Sequence, residues 1–380
     1  MKKAKLISVI LVIIMVCSLI SACGGSKNDP APAASSAPPA ASSEPAASTA
    51  PSEPEFTLIF VSDRPENVGM GTCEKAGFAY IEEKSNGRIK IQPYWSGTFL
   101  DSGDILSGVS DGMADICLNL IGQTSGVQPV GDILSQRHFM EMPDMDGRTE
   151  IYRQALAQIP EVQDELAKHN MRMIDLCSTP GSVMAFTDDF ASKVMKPEDL
   201  RGKVVQSSGY YTNALQSIGV SGLVMPPSEW YTNFERGIVD VMGMNWPGNR
   251  DFGLVELAKS YITFGNSGTY SSSGQSYNIN LDTWNSLPPD LQKIVVDGFR
   301  LTNDLLVERD MVFQHEVMDY EINTEGKLLQ HIPQENMQPW YDIALLAVDL
   351  WKEDVIKNGY DGERIFADYQ RIIDEYLASH

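Results

Sequence analysis

From Phe56 to the C-terminus, short apolar runs alternate with longer stretches of helical spacing, which restricts the chain to few architectures. Residues 56–61 form an apolar run ending in a polar loop at 62–67, and read as a strand. Cys73, Ala76 and Tyr80 have helical spacing, predicting a helix over 71–84 that Ser85-Asn86-Gly87 stops. Residues 88–92 alternate, as a strand with one wet face does. A helix over 101–110 and a strand over 114–120 follow. The pattern then gives a helix over 149–169, strands over 172–177 and 203–206, and a helix over 211–218. Next come a strand over 223–225, a helix over 228–236 with Ser228 as N-cap, and strands over 239–244 and 276–281. Residues 289–323 read as one very long helix, and 339–377 as helical, with apolar spacing at Ile343, Leu346, Val348 and Trp351. Strands alternating with helices predict an α/β class with parallel sheets.

Ahead of this region lies a segment of another kind. Lys2, Lys3 and Lys5 precede an apolar run over 6–20, which ends in Ile20-Ser21-Ala22-Cys23. Residues 1–22 have the order of an export signal, too short and wrongly flanked for a stable membrane span. The small-small-Cys ending resembles a bacterial lipoprotein signal. That resemblance implies that Cys23 becomes the mature N-terminus, carries lipid and anchors the protein outside the cytoplasm on the bacterial cell membrane. An ordinary secretory signal that contains a cysteine is the alternative. Residues 24–54 are almost wholly Ala, Pro, Ser and Gly, and cannot bury enough apolar surface to offset the entropy of ordering. Residues 23–55 are thus expected to be a tether reaching up to about 100 Å when extended.

The remainder, about 325 residues, suffices for two lobes, each with its own core. A formal charge of −22 argues against nucleic acid, which needs basic surface to displace counterions. It also argues against docking on anionic lipid by charge alone. Cys73, Cys117 and Cys177 are odd in number and form no C-x-x-C pair, so they read as buried small apolar residues rather than a disulfide with one left over. His138, His169, His315, His331 and His380 show no metal-ligand spacing, and no pattern calls for a cofactor.

Five short strings, in order, carry a resemblance. They are Glu83 to Ile91 (EKSNGRIKI), Gly108 to Ile116, Pro197-Glu198-Asp199-Leu200 through Val205, Ser228-Glu229-Trp230-Tyr231 through Asp240, and Asp282 to Lys293. Together they resemble the solute-binding proteins of tripartite ATP-independent periplasmic (TRAP) transporters, of the dicarboxylate-binding type. The resemblance implies a two-lobed periplasmic-binding-protein-like fold with a ligand cleft between the lobes and a long connecting helix. Lobe I is expected over 56–182 plus 275–312, and lobe II over 183–274 plus 313–380. It implies a monomer that closes over one small solute and delivers it to the membrane permease subunits of a TRAP transporter.

The departures bear on the ligand. The family's carboxylate clamp is an arginine on the strand after the Pro-Glu-Asp-Leu turn, and Gln206 stands in its place. A second family arginine falls near Met184, and Pro227 replaces a common aromatic residue. Glutamine gives one neutral donor group and one acceptor where arginine gives a charged two-pronged grip. The expected solute is therefore neutral, or carries its charge where Arg64 in the first cleft loop can reach it. Strand-end loops expected at the cleft carry Arg64, Trp95, Gln123, Thr124, Thr179, Gln206, Ser208, Tyr210, Tyr211, Asn245, Trp246 and Gln275. These hydroxyls, amides and indoles suit a small polar solute with a face for stacking. Trp95 and Trp246 could equally be lobe-core residues, and of Tyr210 and Tyr211 one is expected at the cleft and the other packed.

Two rival readings remain. An ABC-type binding protein or a ligand-sensing receptor subunit shares the exported, tethered, two-lobed plan. An exported enzyme is the other. Gly108-Val109-Ser110-Asp111-Gly112 matches the G-x-S-x-G nucleophile elbow, but a helix precedes it and a strand follows, the reverse of the order that motif needs. Gly69-Met70-Gly71 lacks the third glycine of a dinucleotide loop. The chain is read as a binding protein and not an enzyme.

Overall fold

The computed structural model describes residues 54–124, 126–135, 142–207 and 209–380. The export signal, Cys23, all but the last residues of the tether, and Ser208 lie outside them. Among the described residues, no helix is long and apolar enough to cross a membrane.

Two sheets carry the fold. The first joins β1 (Phe56–Val61), β2 (Ile89–Tyr94), β3 (Ile116–Leu120), β4 (Met171–Ser178) and β10 (Gly274–Asn280) in the order β2-β1-β3-β10-β4. β2 lies at its edge and alternates as expected, with Ile89 and Ile91 buried and Lys90 and Gln92 in solvent. The second sheet joins β5 (Ser182–Phe186), β6 (Val204–Gln206), β7 (Ser221–Leu223), β8 (Val241–Asn245), β9 (Ser260–Phe264) and β11 (Leu328–Ile332) in the order β11-β9-β5-β8-β6-β7.

Neither sheet is purely parallel, which corrects the expectation from alternation. β10 is antiparallel to β3 and β4, and β5 is antiparallel to β8 and β9. The cause is the route of the chain. β4 leaves the first sheet and runs through Thr179-Pro180-Gly181 directly into β5 of the second, with no helix to turn it back. β10 returns from β9 in the same way.

Helices cover the sheets. They are α1 (Gly69–Lys84), α2 (Ile105–Ser110), α3 (Met145–Gln158), α4 (Glu161–Ala167), α5 (Gly209–Ser217), α6 (Pro227–Glu235), α7 (Trp246–Asp251), α8 (Leu281–Ser286), α9 (Pro289–Asp319), α10 (Gln338–Lys357) and α11 (Gly362–Ser379). Most boundaries shift by a few residues from the sequence reading, and three differences have a plain cause. The helix expected over 149–169 breaks at Pro160, whose ring cannot continue the ladder of α3. The C-terminal helical stretch breaks at Gly359, where the backbone takes φ 87°. α6 starts one residue early: Pro227 opens it with its preset φ, so Ser228 lies inside the first turn and is not the N-cap.

α9 is the long connector, 31 residues that pack on α1 and β4 at one end and on α7 at the other. The C-terminal pair touches both halves, α10 against α5 and α11 against α3. Trp351 of α10 is buried, and its indole N–H donates to the Pro129 carbonyl at 2.7 Å. Cys73, Cys117 and Cys177 are free and buried, as read. Gly108 ends up in α2, ahead of β3, where a Cβ would meet the Leu100 side chain at 2.4 Å, so packing accounts for this glycine.

Candidate ligand-binding site

The crossings bring the ends of β6, β8 and β10 together, and between the two sheets they enclose a cavity of about 140 Å³. An apolar cavity of about 150 Å³ holds one benzene, so this space suits a molecule of single-ring or amino-acid size.

Arg64, in the loop after β1, forms one wall. Its amide donates to Ser62 Oγ at 3.0 Å and its carbonyl accepts from the Ser96 amide at 2.9 Å, which fixes the loop. The side chain reaches across to the second sheet. Its guanidinium lies 5.0 Å from the Trp230 ring centroid on α6 and 5.8 Å from that of Phe252 just after α7. Trp230 is oriented in turn by its indole N–H, which donates to the Met225 carbonyl at 3.0 Å, and by edge contact with Phe252. Arg64 Nε pairs with Asp63 at 3.2 Å. Burial draws the Arg64 pKa down from its ordinary value, and the charges of Asp63 and Glu74 oppose that.

Facing it are polar atoms that find no partner among the described residues. Gln206 Oε1 at the end of β6, Gln275 Nε2 on β10 and the Tyr211 hydroxyl on α5 are buried at the cavity without a hydrogen bond. Such groups cost free energy until something satisfies them. Thr179 and Asn245 also line the space but are engaged. Thr179 Oγ1 donates to the Ser273 carbonyl and accepts from its amide, both at 3.1 Å, clasping the two crossings together. Asn245 Oδ1 accepts from the Gly248 amide at 2.7 Å and caps α7.

The third wall is charged. Arg309 on α9 pairs through Nη1 with Asp310 at 2.6 Å and through Nη2 with Asp251 at 3.0 Å, and all three side chains border the cavity. Burial pushes the Asp310 carboxyl up to about 6 against the pull of Arg309. Gly69 leaves the room Arg309 needs, since a Cβ there would meet the guanidinium carbon at 1.9 Å.

Of the expected residues, Arg64, Thr179, Gln206, Asn245 and Gln275 thus meet at one cavity, together with Tyr211. Three others lie elsewhere. Trp95 stacks on Phe78 at 6.4 Å and donates its indole N–H to the buried Glu74 at 2.6 Å. Trp246 packs at 4.6 Å from Tyr261 in the core of the second sheet. Tyr210 turns away and donates its hydroxyl to Asp354 of α10 at 2.6 Å. Gln123 lies in a short helical turn, but its side chain, like Ser208, is outside what is described. Thr124 borders a second cavity of about 190 Å³, which Arg64 also lines.

Trp230, Phe252, Tyr270, Asp251, Arg309 and Asp310 were not foreseen. Trp230 stands in a quoted string, within the helix expected over 228–236, with no role assigned to it. Arg309 and Asp310 are adjacent on a long helix, and periodicity marks them as polar without saying what they face.

Known proteins place this geometry. The model of bacterial extracellular solute-binding protein family 7 matches residues 78–354. A monocarboxylate 2-oxoacid-binding periplasmic protein of a Nostoc species is 23% identical over 305 residues, covering 77% of this chain and 78% of that one. Among solved structures, the TRAP solute-binding protein of Rhodoferax ferrireducens in complex with benzoate superposes with a TM-score of 0.72 at 18% identity, over 85% of this chain and 99% of the other. The periplasmic ectoine-binding protein of a Halomonas elongata TRAP transporter gives 0.73 at 17% identity, over 84% and 99%. A Bordetella pertussis extracytoplasmic solute receptor binding pyroglutamic acid gives 0.70 at 15% identity, over 83% and 99%. With two mixed sheets, a long connecting helix and a cavity between the sheets, the chain belongs to bacterial extracellular solute-binding protein family 7, the solute-binding proteins of TRAP transporters.

Proposed function

We propose that this protein captures one small organic acid between its two sheets, with the acid's carboxylate on Arg64, and hands it unchanged to a TRAP permease. The observation that carries this is Arg64 itself: a buried guanidinium at the cavity wall, 5.0 and 5.8 Å from the ring centroids of Trp230 and Phe252. Its Nε is engaged by Asp63, and its terminal nitrogens have no hydrogen-bond acceptor among the described residues. A carboxylate in this cavity needs a cationic partner to replace its lost hydration, and Arg64 does from the first sheet what Gln206 cannot do from β6. Gln206, Gln275 and Tyr211 are the remaining ligand-contacting groups in this reading, with Thr179 and Asn245 shaping the wall. The Nostoc relative's 2-oxoacids, and the benzoate and pyroglutamate of the two structural relatives, are acids of fitting size.

In the same reading, the sheets are the cores of two lobes that part at 182/183, at 274/275 and near 312 along α9, with the C-terminal helices resting on both. The protein works as a monomer outside the cytoplasm, anchored by lipid on Cys23.

The test is a thermal-shift screen of small acids, sugars, polyols and amides, followed by titration calorimetry of the hits. Wild type should bind an acid at one site, and Arg64→Ala should weaken it by tenfold or more, the order expected when one partner of a buried charge pair is removed. An acid bound equally well by Arg64→Ala, or a neutral sugar as the tightest hit, contradicts the reading.

A further inference from the structure

We infer that the cavity has a second charged pole, Asp310 with Asp251, and that the preferred solute is a compact zwitterion whose cationic group meets this pole while its carboxylate meets Arg64. The inference deepens the solute-capture reading above and rests on it.

The geometry of α9 and α7 carries it. Arg309 spends one prong on Asp310 Oδ1 and the other on Asp251 Oδ1. The second oxygen of each carboxylate has no hydrogen-bond donor among the described residues, and both side chains border the cavity that Arg64 closes. One guanidinium balances only one of the two carboxylates. Arg64 is itself balanced through Nε by Asp63. The groups around the cavity therefore offer a surplus of negative charge, which a plain anion meets as repulsion and a dianion more so. A solute with a donor-rich cation at one end and a carboxylate at the other is complementary at both walls.

An independent observation points to a ligand here. Gln206 Oε1, Gln275 Nε2 and the Tyr211 hydroxyl are more than nine-tenths buried, line the same cavity, and have no partner among the described residues. An acceptor, a donor and a hydroxyl at one cavity fit a solute with both hydrogen-bond characters. The size fits too, because a cavity of about 140 Å³ leaves room for little beyond the two charged groups and a small ring or branch.

The test compares amino acids with the same acids lacking the amine, valine against 3-methylbutanoate and proline against cyclopentanecarboxylate, by calorimetry on the full-length protein. The zwitterion of at least one pair should bind about tenfold or more tighter than its partner, as one added charge pair of this kind allows. Asp310→Asn should bring the ratio of the two affinities to about one, and Asp251→Asn should reduce it. Both variants are near-isosteric, and a thermal melt confirms that each is folded. Des-amino acids that bind as tightly as their amino acids, or an amino-acid preference untouched in both variants, overturn the inference. Acids that bind through Arg64 with no preference for the amine leave solute capture standing and remove only the second pole. Binding indifferent to Arg64→Ala removes the reading beneath it.

Discussion

A carboxyl group taken out of water needs donors, a cation or a proton, and Glu74 shows how this chain mixes the three. Its oxygens accept from Trp95 Nε1 at 2.6 Å and from the Tyr277 hydroxyl at 3.1 Å. Arg64 pulls its pKa down too, yet burial dominates and pushes it up to about 7. The folded protein thus holds this proton to higher pH than the unfolded chain. The associated stability is complete below the ordinary carboxyl value of 4.5 and is lost as pH rises through about 7. Glu74→Gln is therefore expected to gain on wild type at pH 8, by at most roughly 3 kcal/mol, with little gain near pH 4. Arg64 loses an ionised neighbour in the exchange, which offsets part of the gain. Denaturant melts at the two pH values check this, and a difference that does not change with pH contradicts it. At this scale the sequence was readable where register constrains a residue. Gln206 follows the Pro-Glu-Asp-Leu turn at a fixed distance, and Arg64 follows the first strand. It was not readable for Trp95 and Trp246. An indole buries a large apolar face and still needs one acceptor, so it suits a core position beside a buried acid as well as a cleft.

Direction in a sheet is set by the connection that enters a strand, and the strand's own pattern does not record it. Residues 182–186 and 260–264 are short apolar runs, bounded by Pro180-Gly181 and by Gly265-Asn266, and neither is among the strands expected from the sequence. They became β5 and β9, central to the second sheet, because the crossings deliver them there. The long helix was plain from periodicity, but its closest contact was not. α9 meets α1 where Gly77 and Gly298 face each other. A Cβ on Gly77 would meet Thr302 Oγ1 at 1.9 Å and the Gly298 carbonyl oxygen at 2.6 Å. The hydroxyl can rotate away, whereas the carbonyl belongs to helical backbone. Gly77→Ala is expected to push the helices apart and cost about 1–3 kcal/mol despite alanine's better helix propensity. An unchanged or raised midpoint in denaturant melts would show that the crossing is looser than this.

The whole molecule is an acidic solute-binding protein, −22 overall, that sets Arg64 and Arg309 with their paired carboxylates on the walls of its cavity. Its two sheets, their crossings and α9 give the arrangement in which a solute can bridge two halves, and the polar atoms left unpaired at the cavity are what the solute completes. In the proposed reading, residues 23–55 tether the protein to a lipid on Cys23. Cys23→Ala is expected to leave the protein unprocessed or to release it from membranes; fractionation that finds the variant processed normally and still membrane-bound contradicts the lipid anchor. The central claim is that the solute is what holds the halves together: Arg64 reaches from the first sheet to Trp230 on the second, and a bound acid ties that wall to Gln206. Binding can favour the closed form only by its greater affinity for it. Small-angle scattering on residues 51–380, which form one compact unit, measures this directly. With the tightest acid from the calorimetric screen at saturation, the account predicts a scattering mass of one chain and a radius of gyration smaller than without ligand. Identical profiles with and without a ligand that calorimetry shows to be bound would contradict it.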